Sequence, residues 1–222
     1  MLLGLTRNPY MDDVIPGRTV PVYPTSSGAY AAPAAVEVCA IMLAVRSNHP
    51  LGILGPGFNT VADLFVKMCT QMDADPTAHG YLGNSAWLSA ADRGVSSEYM
   101  SMVYFESAEA LHAFAEGPLH REAMQWWTAT LKQHPHVSIM HEVFAAPKRG
   151  WEGVYVNYHP TGLGATFRQA TVKDAEGEKK VWMSPVVKGT GPLRSSKGRM
   201  GRFASVEEKG ALDDLLEKEE AA

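Results

Sequence analysis

The segment Val38-Cys39-Ala40-Ile41-Met42-Leu43-Ala44-Val45 is the longest unbroken apolar run in the chain. Its eight residues are far short of the roughly 20 needed to span a bilayer, but they suit a strand. Successive side chains of a strand point to opposite faces, so a run without polar positions is apolar on both. Two later segments share this property. Met100, Met102 and Tyr104 alternate with Ser101, Val103 and Phe105, and Val137, Ile139 and Val143 alternate with Ser138, Met140 and Phe144. A sheet of such strands cannot leave either face in water without exposing an apolar patch. One face needs helices and the other a second sheet, a lid or a ligand. A twin copy of the chain is the simplest cover, because most soluble oligomers are symmetric dimers.

The remaining pattern supplies the helices. Val61, Leu64, Phe65, Met68 and Met72 fall at helical spacing, with Asn59 or Thr60 as the expected N-cap. Residues 80–89 read as a short strand with an internal turn at Gly83-Asn84, and Asp92-Arg93-Gly94 as a turn. Ser107 caps a helix containing Leu111 and Phe114. Gly117-Pro118 interrupts it, and Pro118 suits the first turn of a second piece through Met124, Trp127 and Leu131. Strands 35–46, 98–106, 137–146 and 151–158 complete the list. The order is strand, helix, strand, strand, helix, strand, plus one further strand. This is the βαββαβ arrangement of a ferredoxin-like α+β domain, with an antiparallel sheet and helices on one face.

Three regions follow, within 222 residues. Residues 1–34 carry five prolines and read as an extended arm lying across a surface. Residues 35–166 form the domain, and 167–222 a C-terminal extension. Lys188 to Arg202 holds five basic residues, four glycines and no acid, and reads as a mobile loop. Val206 to Ala222 has seven acids and two lysines. It reads as a solvated tail, or as a short docking helix through Leu212, Leu215 and Leu216. The net charge of −4 provides no global positive field for nucleic acid. Cys39 and Cys69 cannot form a disulfide framework and suit a reducing compartment. No apolar segment of the secretory type follows Arg7. A cytoplasmic protein without a membrane span is the expectation.

Phosphate-loop, dinucleotide, zinc-protease and nucleophile-elbow motifs are missing from the sequence, so chemistry must come from scattered residues. His141 shares an apolar face with Val137, Ile139 and Val143. It is a core histidine that finds a partner, or a base or haem ligand facing a pocket. Glu142 sits on the other face, and Glu37 is a possible third member. His120 follows the Gly117-Pro118 break, where it faces a cleft or caps the break. His134-Pro135-His136 reads as a solvated turn more readily than as a surface metal site. Trp126, Trp127, Phe144, Trp151, Tyr155 and Tyr158 concentrate aromatic surface in one region, as core or as the wall of an apolar pocket.

Several of these segments together form a pattern. Tyr104-Phe105-Glu106-Ser107-Ala108-Glu109-Ala110-Leu111, Pro118-Leu119-His120, Met140-His141-Glu142-Val143-Phe144, Glu152-Gly153-Val154-Tyr155-Val156-Asn157 and Pro160-Thr161-Gly162-Leu163-Gly164 resemble a monooxygenase-like family. That family is named for a member in fungal terpenoid antibiotic biosynthesis. It belongs to the dimeric α+β barrel superfamily and is related to the antibiotic-biosynthesis monooxygenases. The resemblance covers about residues 35–166. Phe105 stands where Trp is common, Phe144 where Tyr is common, and Tyr158-His159-Pro160 where Met-Pro-Pro is common.

The resemblance implies a homodimer paired sheet to sheet, with a pocket between sheet and helices. The pocket would take a small hydrophobic metabolite, terpenoid or polyketide, and dioxygen, without a cofactor. By position His141, His120, Glu142 and Asn157 match the family's recurrent polar residues. His141 would be base or proton shuttle, His120 an orienting group or second base, and Asn157 an oxyanion donor. Trp127, Phe144, Tyr155 and Phe105 would line the pocket. The phenylalanine at 144 removes any phenol donor there. Two alternatives remain open: a haem-binding dehydratase or oxygenase with His120 or His141 as axial ligand, and a non-catalytic dimeric ligand-binding module.

Overall fold

A computed structural model describes residues 8–89, 97–174, 177–203 and 206–220. The expected turn at Asp92-Arg93-Gly94 lies outside the described residues. In chain order the strands are β1 (Ile15–Pro21), β2 (Val38–Ser47), β3 (Tyr81–Leu88), β4 (Glu98–Phe105), β5 (Val137–Ala146), β6 (Tyr155–Tyr158), β7 (Arg168–Asp174), β8 (Gly177–Met183) and β9 (Val186–Lys188). The helices are α1 (Phe58–Ala74), α2 (Pro76–His79), α3 (Ala108–Ala115), α4 (Pro118–Thr130), α5 (Ser196–Arg199) and α6 (Val206–Glu220). The chain divides into two units, Glu37–Ala146 and a second one built from Met1–Val36 with Pro147–Ala222.

The first unit is the expected βαββαβ fold. Its four strands lie in the order β3-β4-β2-β5, and every neighbouring pair is antiparallel. The apolar run of β2 therefore occupies an inner position, paired along its length with β4 and β5. Cys39, Val103, Phe105 and Tyr81 from the sheet form one buried cluster with Met72 and Leu111 from the helices, and Ile41, Leu43, Phe65 and Phe114 pack against it. These positions define the helix-side face of the sheet. Ser107 caps α3 by accepting from the Ala110 N–H at 3.2 Å, and Pro118 opens α4 as its spacing implies. Helix α1 starts earlier than expected. Gly57 is its N-cap, and the Asn59 and Thr60 side chains lie inside its first turn.

The second unit corrects the reading of both chain ends. The proline-rich segment 1–34 is not only a surface arm: β1 is the central strand of a three-stranded sheet, order β6-β1-β9. Pro16 and Pro21 stand at the ends of β1, where a missing N–H costs least, while Val20 and Val22 are buried. The strand expected at 151–158 contributes β6, shortened to its last four residues, to this sheet. The C-terminal extension contains an antiparallel hairpin, β7 with β8, and a folded basic segment. Residues 191–199 form two short helical turns rather than a mobile loop. Arg199 holds them by donating to the Leu193 and Arg194 carbonyls and to Glu152. The docking-helix alternative holds for α6. Leu212 and Leu216 are buried with Val20, Val22, Val187 and Leu193, and Leu215 packs alongside.

Leucine-to-alanine changes in such cores cost about 2–5 kcal/mol. Leu212→Ala should therefore lower the unfolding free energy by an amount in that range. Hydrogen exchange should accelerate in α6 and β9 and leave β2 and β4 at wild-type protection. Uniform acceleration through both units would contradict the division.

Candidate functional site

The pairing register assigns every predicted site residue on β5 to a face. His141 lies opposite Leu43, Val143 opposite Ile41 and Ile139 opposite Val45, so these share the helix-side face. Glu142 lies opposite Met42 and Phe144 opposite Ala40, on the other face. Imidazole and carboxylate are chain neighbours and thus point away from each other. One chain cannot bring both to one pocket. Both side chains are exposed in the single chain.

The proposed pocket wall separates in the same way. Phe105 is on the helix-side face, buried against Tyr81 and Phe114 at ring separations of 6.1 and 6.2 Å. Phe144 is on the opposite face and exposed. Trp127 is half-buried on α4. Tyr155 belongs to the second unit, where its hydroxyl accepts from the Gly164 N–H at 2.9 Å and burial raises its pKa, partly offset by that hydrogen bond. Asn157 is also in the second unit. Its φ of 50° is left-handed, and its Oδ1 accepts from the Gly17 N–H at 2.8 Å. That oxygen fastens β6 to β1. Glu37 is exposed at the edge of the first unit.

His120 is half-buried in the first turn of α4. It lines an open groove of about 620 Å³ with Arg121, Met124, Gln125, Thr128 and Ala115. The histidines at 134 and 136 are packed rather than solvated. The His136 Nε2 lies 2.7 Å from the Pro56 carbonyl oxygen, its ring meets those of His49 and His134, and His134 stacks on Trp126. Among the described residues no group of three His, Cys, Asp or Glu side chains is arranged to hold a metal ion.

The polar cluster inside the helix–sheet layer involves residues that the sequence reading passed over. Tyr81 on β3 is buried, and its hydroxyl accepts from the Asn84 Nδ2 at 2.6 Å. The same amide nitrogen points at the Cys69 sulfur of α1, at 4.0 Å. Residues three apart on a regular strand face opposite ways, so this contact requires an irregularity. β3 supplies one: its register with β4 shifts between Tyr81 and Gly83, which has φ 137°. The bulge brings Tyr81, opposite Phe105, and Asn84, opposite Val103, onto the helix-side face together. The expected internal turn at Gly83-Asn84 is this bulge within a continuous strand. Its signal in the sequence was the glycine inside a strand pattern.

Burial raises the Tyr81 pKa, the Asn84 hydrogen bond opposes it, and the nearby Asp73 carboxylate adds to the rise. The phenol therefore keeps its proton at neutral pH. Burial, with Asp73 contributing, also pushes the Cys69 thiol up to about 11. The arrangement is a protonated buried phenol between the Asn84 amide, which donates to it, and the Asp73 carboxylate; its hydroxyl is the group that could donate to a developing oxyanion.

Comparison with known proteins assigns a family. Residues 38–163 match the model of the family described as Monooxygenase af470-like. The chain belongs to that family. It is 32% identical over 198 residues to Monooxygenase af470 of Aspergillus fumigatus, covering 88% of this chain and 70% of that protein. Among solved structures, SnoaB, a cofactor-independent oxygenase from Streptomyces nogalater, aligns at 13% identity and a TM-score of 0.33, covering 50% of this chain and 94% of SnoaB. An aldoxime dehydratase aligns at 13% identity and a TM-score of 0.48, covering 67% and 39%. A dimeric ferredoxin-like protein from Thermobifida fusca aligns at 14% and 0.31, covering 50% and 92%.

The raised Cys69 pKa has a definite consequence. In the unfolded chain the thiol ionises near 9.0, and in the folded chain only near 11. Its contribution to stability is complete below the unfolded value and is lost as pH rises toward the folded one. The unfolding free energy should thus fall more steeply between those pH values in the native protein than in Cys69→Ala. Parallel curves from denaturant titration would refute the shift.

Proposed function

We propose that the chain is a monooxygenase that takes a small hydrophobic metabolite, terpenoid or polyketide, against the helix-side face of its sheet and oxidises it with dioxygen. The observation that carries the reading is the Tyr81–Asn84 pair held by the β3 bulge within an otherwise apolar layer, in a chain of this family. In the cofactor-free form of the reaction, a base removes a proton from an activated substrate CH₂ and the carbanion reduces dioxygen to a bound peroxide. Loss of water then leaves a ketone. One oxygen atom enters the substrate, the other leaves in water, and all electrons come from the substrate. Tyr81 would hydrogen-bond the peroxide and supply the proton that departs in water. Asn84 would orient that phenol.

His141 shares that face, but it lies three strands across and four residues along the sheet from Tyr81. At about 4.8 Å per strand and about 3.3 Å per residue that is roughly 19 Å, too far for one carbon to meet both, so the imidazole would shuttle protons at the open edge rather than take one from the reacting carbon. His120, in its groove on α4, would act as an orienting group. Glu142 and Asn157 have no part in this step, because one faces away and the other holds β6. Dimerisation is part of the reading. Met42, Met140 and Phe144 share the face away from the helices, and a second copy would cover them.

The test is oxidation of a panel of multi-ring phenolic and terpenoid substrates under labelled dioxygen, with an absorption spectrum of the purified protein. Tyr81→Phe should reduce turnover by about 10²-fold, the scale of losing one oxyanion donor, with little change in KM. His141→Ala should cost less, because the imidazole is too far from the reacting carbon to take its proton. Full activity in Tyr81→Phe would move the chemistry to the open strand edge, and a Soret band would replace the cofactor-free step with haem chemistry. Phe144→Glu should shift a dimer toward monomer in analytical ultracentrifugation; an unchanged mass would remove the proposed interface.

A further inference from the structure

The basic segment that the proposed reaction does not use carries a serine in an unusual setting. Ser196 is exposed and donates from its hydroxyl to Glu152 Oε1 at 2.8 Å. The other oxygen of that carboxylate accepts from the Arg199 Nε at 2.6 Å, with the two side chains 28% and 12% exposed. Arg199 also donates through Nη1 to the carbonyls of Leu193 and Arg194, at 3.1 and 2.9 Å. One carboxylate thus ties the loop after β5 to the 191–199 turns, and those turns seat Leu193 among Leu212 and Leu216 of α6. Glu152 directly follows Trp151, which is buried edge-on to Tyr23 and donates its indole N–H to the Val36 carbonyl.

The neighbouring serine is already committed. The Ser195 hydroxyl donates to the Pro192 carbonyl and accepts from the Gly198 N–H. That turn is closed tightly: a Cβ on Gly198 would lie 1.9 Å from the Pro192 oxygen. The Ser196 hydroxyl takes no part in this closure and points to Glu152 instead. It sits in the sequence Arg194-Ser195-Ser196-Lys197-Gly198-Arg199, and no acid occurs between Lys188 and Arg202. The four-residue helix α5 has little intrinsic stability, so the segment can open into the extended form that an acidic peptide-binding cleft accepts.

We propose that Ser196 is a phosphorylation site for a serine kinase that selects basic surroundings, and that its phosphorylation unlocks the Glu152–Arg199 clasp. In the transfer, the Ser196 oxygen bonds the γ-phosphorus of ATP, the bond from that phosphorus to the β–γ bridging oxygen breaks, and ADP leaves with the electron pair. The hydroxyl proton passes to the kinase base, and no redox partner is needed. The product carries about −1.5 to −2 charge where the hydroxyl touched a carboxylate. Glu152 is repelled, and Arg199 gains a bidentate phosphate partner in its place. The loop carrying Trp151 and Glu152 is released while the 191–199 turns keep their arginine. The inference does not depend on the proposed oxidation, and its test reads no turnover.

Full-length protein is treated with magnesium ATP and a purified basophilic serine kinase, then followed by intact mass, peptide mapping and hydrogen exchange. The expected result is one phosphoryl group per chain at Ser196, lost in Ser196→Ala, retained in Ser196→Thr and slowed in Arg194→Ala. Phosphorylation should speed exchange in residues 147–154, and Glu152→Gln should reproduce that change without ATP. Incorporation only after heat denaturation, incorporation elsewhere, or unchanged exchange in 147–154 would each overturn the proposal.

Discussion

Strand β5 carries large apolar side chains on both faces, and beyond Val137 most of them are exposed. Ile139 and Val143 are 44% and 42% exposed on the helix side, and Met140 and Phe144 are 38% and 51% exposed on the other. Among the described residues it pairs only with β2. A ten-residue edge strand of this kind is costly in water and prone to adding a neighbour, so it must meet something. The two faces ask for different partners. Beyond the helix layer, the away-facing side chains form a broad sheet surface that a second copy suits. The helix-side chains sit at the open end of a layer that already encloses Phe105, Phe114 and Leu111, where an apolar molecule could slide in. The dimeric and the substrate-binding parts of the proposed function thus arise from one uncovered strand.

The polar pair inside that layer is set by the bulge in β3. An unpaired buried hydroxyl would cost about 1–3 kcal/mol, and the bulge avoids that by turning the Asn84 amide toward the phenol. Burial keeps the phenol protonated against the pull of that hydrogen bond, and the pairing orients it. The cluster has a structural use, then, whether or not a substrate reaches it. What makes it a candidate for chemistry is that its polarity is placed inside the layer, where an aliphatic pair would pack more simply.

The strand order and the antiparallel sheet were legible because their signals are periodic: β5 spans the ten residues its alternation implies, and Ser107 and Pro118 mark helix starts by local chemistry. Boundaries set by tertiary contact were less legible. The start of α1 at Phe58, ahead of Asn59, is capped by Gly57 without any side-chain hydrogen bond to signal it. Proline content hid β1, because two prolines at strand ends look in sequence like two prolines in a coil. The charge pattern misread 188–202, since Arg199 spends its charge on Glu152 and on carbonyls rather than on solvent. For the candidate site, alternation alone was enough to set His141 and Glu142 on opposite faces. Tyr81 and Asn84 were not legible, because a period of two assigns them to opposite faces until the extra residue of the bulge is counted.

The family segment from Tyr155 to Gly164 shows why a recurring motif need not be a contact with substrate. Its tyrosine hydroxyl closes onto the Gly164 N–H, and its asparagine takes a left-handed backbone that lets Oδ1 hold the Gly17 N–H. Asparagine is among the few residues other than glycine that tolerate this conformation. Glycine would give the backbone but not the acceptor, and glutamine would reach too far. The junction of β6 with β1 thus asks for a short side chain with an acceptor oxygen on a left-handed backbone, which asparagine supplies. Two residues on, Thr166 bonds the buried Tyr23 hydroxyl at 2.7 Å and the Leu163 carbonyl at 2.6 Å, continuing the same clasp into the core. The motif works as the hinge pin of the unit made by the two chain ends. Outside this motif, the polar residues considered for chemistry are His141 on the open strand and the phenol that Asn84 holds inside the layer.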